Sequence, residues 1–550
     1  MKRSDTVKDI EFNLLEEKWI LVRKSDCTVD ELSLKDALLH AHEYESLAGE
    51  LPTQDVSILR LMLAVLHTVF SQYSPTGEKS PLKTANDAIN RWRELWNAGA
   101  FPEKPIDTYL STVYDRFWLF HPERPFYQTP AAKIGTEYSA SKLNGTLSES
   151  SNKIRLFSSY TGENKQSLSF AEGARWLLYV NNYDDTSAKP KGDNLPSPGA
   201  GWLGRLGLIY VNANNLFETL MYNLILLKPP HFEIWADERP IWELDKPRSA
   251  ERTEIAPPDN LSELYTLQSR RLWLIRKDDK ITGYNLLGGD FFEKEDAFIE
   301  PMTIWSPIKA KKQEKVHFQP KRHNSSVQMW REFSSTFLAS ENSHTPGIIS
   351  WIQYLKKNRF IERQELIRFG IASVQYGDKD FFINDVFSDT LTFHTNLLTE
   401  LGRRWQSIIS NEVSKCDELA RTVTSLGKSL LLAAGSSGEN AGKLSFVGYA
   451  REQLYYEIDV PFRSWLENID PVIETDSDEE ISCIDGWHDT ARKIAFKLGS
   501  ELVNAAGPTA IIGHADKDER GDEKYYSAAD AYRSFKYYVK KIYPKEECND

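Results

Sequence analysis

After about residue 390 the sequence has helical patterns and little strand character, and this feature constrains the fold most. Four stretches have apolar residues at the three- and four-residue spacing of an amphipathic helix. They run from Trp405 to Leu432, from Phe446 to Leu466, from Ile484 to Ala505 and from Ser527 to Ile542. Turns rich in Gly, Ser, Asp and Pro separate them. Four helices with short connections predict an up-down four-helix bundle.

The residues before this region mix short strands with helices. Leu14-Leu15 and Trp19–Val22 predict a strand pair near the start. Apolar spacing between Val56 and Phe70 predicts a core helix, with Thr53 as its N-cap. Two more helices are predicted: one begins at a capping box and reaches about Val180, and the other follows it. The capping box is Ser169–Glu172, and the later helix runs from Asn214 to Leu227.

These patterns predict an α+β protein with two domains. An irregular α/β domain is expected over residues 1–385 and the helical bundle over 386–550. Two polar loops in the first domain, Ala131–Asn152 and Asn181–Gly201, are long for a compact domain. Loops of this length are functional or disordered.

Charge and composition exclude several classes of protein. A net charge of −13 excludes nucleic-acid binding by the whole surface, so any such role is local or shared with a more basic partner. Since no apolar run approaches a membrane span and the N-terminus lacks an apolar signal core, we expect a cytoplasmic protein with no membrane partner. The four cysteines lie far apart without a CxxC pair, which argues against a zinc ribbon or a disulfide framework.

One glycine-rich segment, Gly199-Ala200-Gly201-Trp202-Leu203-Gly204, matches the G-x-G-x-x-G pattern of dinucleotide-binding folds. That fold requires a strand before the glycines and a helix after them, whereas here a Pro-containing loop precedes them and a β-leaning run follows. A glycine-rich tight turn is one alternative. A nucleotide-binding enzyme that uses Gly199–Gly204 is another, but the scattered acids and histidines form no catalytic spacing. We therefore expect no enzyme activity and no cofactor.

Several segments resemble one known family. Phe12–Val22, His121-Pro-Glu-Arg-Pro-Phe-Tyr-Gln128, Tyr265–Leu272 and Trp330-Arg331 are similar in order and spacing to the large subunit (CasA family) of the type I-E CRISPR surveillance complex, Cascade. The resemblance covers essentially the whole chain. It implies a non-enzymatic subunit that recognises a short protospacer-adjacent motif, the PAM, in double-stranded target DNA. It also implies that the subunit helps to open the duplex for guide RNA and to recruit the effector helicase–nuclease.

The resemblance also places the DNA-binding residues of the family on this sequence. The glycine loop that contacts the PAM from the minor groove falls on Gly199, Ala200 and Gly201, and the groove lysine, which follows an aromatic or apolar pair, falls on Lys294. The wedge that separates the strands falls on Gln375, five residues after a glycine, with Tyr376 next to it to stack on a base. The position of the wedge is open by one residue, between Gln375 and Tyr376. The alternative for Lys294 is an ordinary surface lysine, and the alternative for the wedge segment is a polar hairpin tip.

The remaining implications concern the guide RNA and metals. Phe157 falls where the family has an aromatic residue that engages the target and the guide handle, although a buried core position is an alternative. Some relatives have a cysteine cluster that binds zinc between the third helix and Lys294; this chain has no cysteine there, so we expect no metal. The partners implied are duplex target DNA, the guide RNA with the other Cascade subunits, and the helicase–nuclease. One basic patch is a candidate for local phosphate contacts: Lys309, Lys311, Lys312, Lys315, Lys321 and Arg322.

Overall fold

The structure is a computed structural model. It describes residues 9–145, 147–149, 153–154, 160–308, 316–338, 343–361, 365–436, 445–472, 477–517 and 523–544. The chain forms two compact units. The first contains Met1–Val327, Ser335–Ile361 and Ile367–Thr390, and the second contains Gln328–Ser334, Glu362–Leu366 and Leu391–Asp550. The predicted boundary at 385/386 lies inside a strand, Ile383–His394.

Up to residue 394, the described residues form ten α-helices and seventeen short strands. The helices are α1 (Leu34–Leu39), α2 (Pro52–Gln72), α3 (Ala85–Ala98), α4 (Glu103–Thr112), α5 (Ala140–Leu143), α6 (Phe170–Tyr183), α7 (Leu216–Asn223), α8 (Leu261–Tyr265), α9 (Phe333–Phe337) and α10 (Gly347–Lys357). The strands are β1 (Glu11–Asn13), β2 (Ile20–Arg23), β3 (Val29–Leu32), β4 (Ser46–Leu47), β5 (Trp118–Phe120), β6 (Thr136–Ser139), β7 (Leu147–Glu149), β8 (Lys153–Ile154), β9 (Ile209–Val211), β10 (Leu227–Lys228), β11 (Glu233–Ile234), β12 (Arg270–Lys277), β13 (Lys280–Gly288), β14 (Trp305–Pro307), β15 (Phe318–Pro320), β16 (Leu366–Tyr376) and β17 (Ile383–His394).

The strands form several small sheets of two or three strands each. The three-stranded sheets have the orders β3-β2-β4, β12-β13-β6 and β17-β16-β9. Strands β12 and β13 form an antiparallel hairpin in which Arg270 is opposite Gly288 and Lys277 is opposite Lys280. The described strands thus form separate small sheets, as the predicted irregular α+β architecture requires.

The strand pair predicted near the start does not form. Leu14 and Leu15 lie in a turn; β1 pairs with β5, while β2 pairs with β3 and β4. The side chain of Asn13 is the physical reason, because its Oδ1 accepts a hydrogen bond of 3.0 Å from the Leu15 amide. An Asn that bonds the backbone two residues later favours a turn over a continued strand.

Helix α2 is the core helix of the first unit, and all its residues from Val56 to Phe70 are buried. Pro52 is its first residue and Leu51 is its N-cap, so the prediction of Thr53 as the cap was wrong. Since Pro lacks an N–H that would need a partner, it suits a first turn. By length and composition α2 also qualifies as a membrane span, which the sequence scan missed; 94% of its most apolar window is buried in the structure, as in the core helix of a folded domain.

Two other helix predictions are confirmed with different ends. Helix α6 begins with the predicted capping box, in which Ser169 and Glu172 each bond the other's backbone amide, and it continues to Tyr183. Helix α7 begins after its cap Asn215 and ends at Asn223, earlier than predicted. The Asn223 side chain bonds the carbonyls of Thr219 and Val211, and β10 follows at Leu227.

The described part of the second unit is largely helical beyond residue 402, as predicted. Each of the predicted stretches is a helix, and a short helix and a hairpin precede the last one. The elements are α11 (Arg403–Ala433), α12 (Ser445–Glu467), α13 (Asp478–Ala505), α14 (Gly507–Ile512), β18 (His514–Lys517), β19 (Glu523–Tyr526) and α15 (Ala528–Ile542). Helix α11 packs against α12 and α15, and α13 packs against the same two helices. Stacked Trp330 and Phe462 rings, with centroids 4.2 Å apart, contribute to this core.

Candidate nucleic-acid interface

The turn after helix α6 joins two loops that are distant in sequence. We call this turn, Tyr183–Thr186, the α6 junction. The carbonyl of Asp184 accepts a hydrogen bond of 3.0 Å from the Gly201 amide. The carbonyl of Tyr183 accepts one of 2.7 Å from the Tyr376 hydroxyl, and the Thr186 amide donates one of 2.9 Å to the Asp380 carbonyl. The glycine loop and the tip of the β16–β17 hairpin are therefore fixed by the same four residues.

The glycine loop is a packed structure of its own. Gly199 has φ of +67°, which favours glycine, and it is half-buried. Gly201 lies so close to α6 that a Cβ there would overlap the carbonyl oxygen of Asn182. Ala200 is only 4% exposed. The fold itself therefore requires glycine at position 201, whatever the loop binds.

Three arginines bind the loop from the protein side, and we call Arg205, Arg252 and Arg270 the arginine cluster. Arg270 donates to the Gly199 carbonyl at 2.6 Å and to the Asp184 carboxylate at 2.6 Å. Arg205 donates to the Ala200 carbonyl at 2.9 Å, and Arg252 to the Ser197 carbonyl at 3.1 Å.

Burial and mutual repulsion shape the electrostatics of this cluster. Burial, then the charges of Arg205 and Arg270, lower the pKa of Arg252 to about 10. Burial, followed by repulsion from Arg270 and Arg322, likewise lowers the pKa of Arg205. With a pKa of about 10 the Arg252 guanidinium stays charged at neutral pH, so positive charge lies directly behind the glycine loop. Such a field favours a phosphate backbone at the loop surface. The sequence analysis did not predict this cluster.

At the hairpin, the two predicted wedge residues have different environments. Gln375 is exposed, and its Oε1 accepts a hydrogen bond of 2.9 Å from the Ser325 hydroxyl. Tyr376 is anchored: its hydroxyl binds the α6 junction, its ring lies 4.8 Å from the Arg322 guanidinium, and burial raises its pKa well above the ordinary value. This geometry does not support Tyr376 as the residue that stacks on a separated base, and it leaves Gln375 as the wedge candidate.

The tip of the same hairpin presents residues that the sequence analysis missed. Lys379 and Phe381 are exposed at the turn between the strands, and Phe381 has 45% of its surface in solvent. Asp380 holds the turn to the body through a two-bond ion pair with Arg322, at 2.8 and 2.9 Å. Arg322, which belongs to the predicted basic patch, is thus already paired with Asp380.

Lys294 is fixed beside the glycine loop by the aromatic pair that precedes it. The ring of Phe292 packs on Trp202, which directly follows the loop, with centroids 4.3 Å apart. The ring of Phe291 lies under Arg252, 3.5 Å from its guanidinium carbon. Lys294 itself is exposed. The structure therefore packs the residues just before this lysine against the residue after the glycine loop, although about ninety residues separate the two segments in the sequence.

A buried ion pair ties the loop to the core of the unit. The indole N–H of Trp202 donates a hydrogen bond of 2.8 Å to Glu300. The same carboxylate accepts two hydrogen bonds, of 2.8 and 2.9 Å, from Arg60 on α2. Arg60 and Glu300 are each 1% exposed.

Some predicted residues lie outside the described part of the chain. Phe157 is one of them, and so are Lys309, Lys311, Lys312 and Lys315 of the basic patch. In the described residues there is no group of three His, Cys, Asp or Glu side chains placed to hold a metal ion.

The glycine pattern lacks the arrangement of a dinucleotide fold. A single 3-10 turn, Leu203–Arg205, follows the glycines and leads into strand β9. Protein atoms occupy the space over the glycines: the Asn182 carbonyl at Gly201 and the Tyr376 hydroxyl at Gly204. A pyrophosphate needs this space and a helix N-terminus, so the geometry argues against the nucleotide-binding alternative.

The fold places the chain among CRISPR-associated proteins. It matches the crystal structure of Thermobifida fusca Cse1 with a TM-score of 0.79 and 25% sequence identity, over 97% of this chain and 98% of that one. A chain of a CRISPR RNA-guided surveillance complex matches with a TM-score of 0.68 and 15% identity, over 96% and 99% of the two chains.

Sequence comparison identifies the family. The CRISPR-associated protein Cse1 model matches residues 13–498, and the chain belongs to this family. The Thermus thermophilus CRISPR-associated protein CasA/Cse1 is 33% identical over 279 residues. That alignment spans 49% of this chain and 50% of the relative's length.

Proposed function

We propose that this protein is the large subunit of a type I-E Cascade complex, and that the glycine loop, Lys294 and the β16–β17 hairpin recognise the PAM and open the target duplex. Membership of the Cse1 family supports the assignment to a CRISPR complex. The match to a surveillance-complex chain supports assembly with guide RNA and sibling subunits. The α6 junction is the observation that carries the role in DNA binding.

The proposed contact begins at the glycine loop. Since Gly199, the partly exposed residue of the loop, has no side chain, the backbone at this point fits the narrow minor groove. Lys294, fixed beside the loop, adds a cation that contacts the groove or its phosphates. The arginine cluster increases the local positive potential while the chain as a whole carries a charge of −13. This combination favours local DNA contact and disfavours non-specific binding.

Duplex opening is assigned to the hairpin. The α6 junction fixes the hairpin relative to the glycine loop through hydrogen bonds of 2.7 to 3.0 Å. Binding of the PAM by the loop therefore brings Gln375 to a set distance along the duplex, where it inserts beside the PAM. Unstacking one base step costs a few kcal/mol, and the groove contacts offset that cost. Base pairing with the guide then reads the target sequence.

The protein is proposed to act without catalysis of its own. The effector helicase–nuclease, which it helps to recruit, degrades the target. In support, two acids at this site are paired with arginines, Asp184 with Arg270 and Asp380 with Arg322.

A selection experiment tests this function. The complex is assembled with guide RNA, with and without this subunit, and is incubated with duplexes that carry a constant target and randomised flanking positions. Sequencing of the bound DNA should show enrichment of a short flanking motif only when the subunit is present. Equal enrichment in its absence would reject the assignment. A matched complex that contains the Lys294→Ala variant should retain the same motif with weaker total binding.

A further inference from the structure

A cavity on the β12–β13–β6 sheet lies outside the site described above. It has a volume of about 500 Å³. One wall is formed by Trp273 and Asn285 on the sheet, and another by the segment around His121, Pro122 and Gln128. Lys133 stands at its edge.

Trp273 gives the cavity an aromatic surface, and the side chain of an exposed lysine lies over it. The Lys133 ammonium lies 4.1 Å from the centre of the Trp273 ring. Lys133 is exposed and has no carboxylate partner among the described residues. An aromatic ring with an adjacent, unneutralised lysine is the combination that stacks a base and contacts its phosphate.

Asn285 supplies a hydrogen-bonding edge next to that ring. It lies directly opposite Trp273 in the β12–β13 pairing, so the two side chains share a face of the sheet. Asn285 is only 8% exposed, yet within the described residues its side-chain amide has no hydrogen-bond partner. The amide atoms are not sealed in the core but reach the cavity, so they are available to a ligand there.

The other polar groups at the cavity are already engaged. Gln128 donates to the Leu119 carbonyl and accepts from the Leu274 amide, at 2.7 and 2.8 Å. The His121 Nδ1 accepts from the Glu123 and Arg124 amides, at 3.1 and 3.0 Å. Arg276 pairs with Glu11 at 2.6 Å and lies over the Phe120 ring. Asp9 also lines the cavity, so the lining of the cavity contains both acidic and basic side chains. This suits one nucleotide better than a longer polyanion.

We propose that this cavity binds a single unpaired nucleotide: its base displaces the exposed Lys133 side chain from the Trp273 ring and stacks there, hydrogen-bonded to Asn285, while Lys133 contacts its phosphate. An amide that presents a donor beside an acceptor pairs best with adenine. The ligand class is therefore an unpaired adenine nucleotide, either free or within a single-stranded segment. This inference is independent of the PAM-binding function proposed above.

Fluorescence anisotropy with the full chain tests the proposal. The probes are labelled octamers of adenosine and of uridine, their deoxy counterparts, and unlabelled AMP as a competitor. The adenine octamers should bind at least several-fold more tightly than the pyrimidine octamers. Trp273→Leu should weaken adenine binding by on the order of tenfold, the size expected for loss of one stack. Asn285→Leu should remove the preference for adenine.

Two further variants keep the test decisive if a sheet substitution impairs folding. Lys133→Glu changes an exposed residue and should weaken binding, whereas Lys277→Ala, an exposed lysine at the end of β12 that does not line the cavity, should not. A preference for RNA or DNA octamers, or displacement by AMP, tells which source of the nucleotide fits best. The proposal is overturned if no probe binds, or if Trp273→Leu and Lys133→Glu both bind adenine octamers as wild type does.

Discussion

The hydroxyl of Tyr376 donates a hydrogen bond of 2.7 Å to the backbone carbonyl of Tyr183, which lies 193 residues earlier in the chain. This bond joins the last residue of β16 to the last residue of α6. It makes Tyr376 a positioning residue of the hairpin and separates its role from that of its exposed neighbour Gln375.

Loss of this bond should destabilise the first unit. Tyr376→Phe removes one buried hydrogen bond and leaves the Tyr183 carbonyl without that donor, so we expect a loss of about 1 kcal/mol in the free energy of unfolding. Urea unfolding followed by tryptophan fluorescence measures it. Gln375→Ala, at the exposed adjacent position, is the control and should unfold as wild type does. Equal stability of Tyr376→Phe and wild type would show that the bond does not hold the hairpin.

The proposed wedge role predicts a dependence on the state of the DNA. Gln375→Ala should slow opening of a fully paired target in the assembled complex, because the groove contacts no longer drive a side chain into the stack. On a target mismatched beside the PAM the defect should disappear, since the unstacking cost is already met. A base-analogue fluorophore next to the PAM reports opening. Equal defects on paired and mismatched targets would exclude a wedge.

Lys294 should behave differently, because its contribution is electrostatic. Lys294→Ala should weaken binding of paired and mismatched targets to a similar extent, and the difference from wild type should shrink as salt rises. Filter binding over a series of salt concentrations measures both effects. Lys246→Ala, an exposed lysine outside the site, serves as the control. A defect of Lys294→Ala that does not change with salt would contradict a phosphate or groove contact.

The packing of the glycine loop predicts that Gly201 is more sensitive than its neighbours. Gly201→Ala places a methyl group against the Asn182 carbonyl, and we expect a loss of about 1–3 kcal/mol in stability from the backbone shift. Binding of PAM-bearing duplex should fall with it, since the Gly201–Asp184 bond fixes the loop. Ser197→Ala changes an exposed residue of the same loop and should alter stability little. Thermal melts and duplex binding of the two variants distinguish these outcomes.

A buried acid in the core predicts a change of stability with pH. Burial raises the pKa of Glu238 from 4.5 to about 7. Between these values the folded protein keeps the proton and the unfolded chain does not. The stabilisation is thus complete below about pH 4.5 and is lost as pH rises to 7.

Glu238→Gln removes this titration. Relative to wild type, the variant should gain about 2–3 kcal/mol between pH 5 and pH 8. Denaturant unfolding of both proteins at the two pH values measures the gain. The Nδ1 of His67 lies 3.9 Å from the Glu238 carboxylate, and burial lowers the pKa of His67 to about 3. This shift makes the folded protein more stable as pH rises, which is opposite to the effect of Glu238. Since His67 is present in both proteins, its effect largely cancels in the comparison. Parallel stability curves would contradict the prediction.

Local sequence patterns predicted the long helices well. The capping box at Ser169 and the helical periodicity after residue 390 depend on neighbours three or four residues apart, and the structure confirms the elements they indicate. The strand expected at Leu14 failed because one side-chain hydrogen bond of Asn13 made a turn there. Such a bond competes with strand formation at a single residue, which hydrophobic patterning does not register.

The candidate site was only partly predictable. Its main segments were placed through resemblance, but the arginine cluster and the α6 junction join residues from 183 to 380 in the chain. Arg205 and Arg252 show no spacing that connects them with Ser197 or Ala200. The role of Tyr376 depends on a backbone carbonyl of α6, and a sequence does not show which carbonyls lie nearby.

The Trp202–Glu300–Arg60 connection bears on how the glycine loop fluctuates. Surface loops usually open locally, and their amides exchange with solvent far faster than those of the core. This loop is bonded through Trp202 to a buried carboxylate whose other partner is on α2, the core helix of the unit. Release of the loop would leave that buried carboxylate short of one hydrogen-bond donor inside the core. We therefore expect the Gly201 and Trp202 amides among the slowly exchanging ones, and on the proposed function the loop would bind DNA without first having to order.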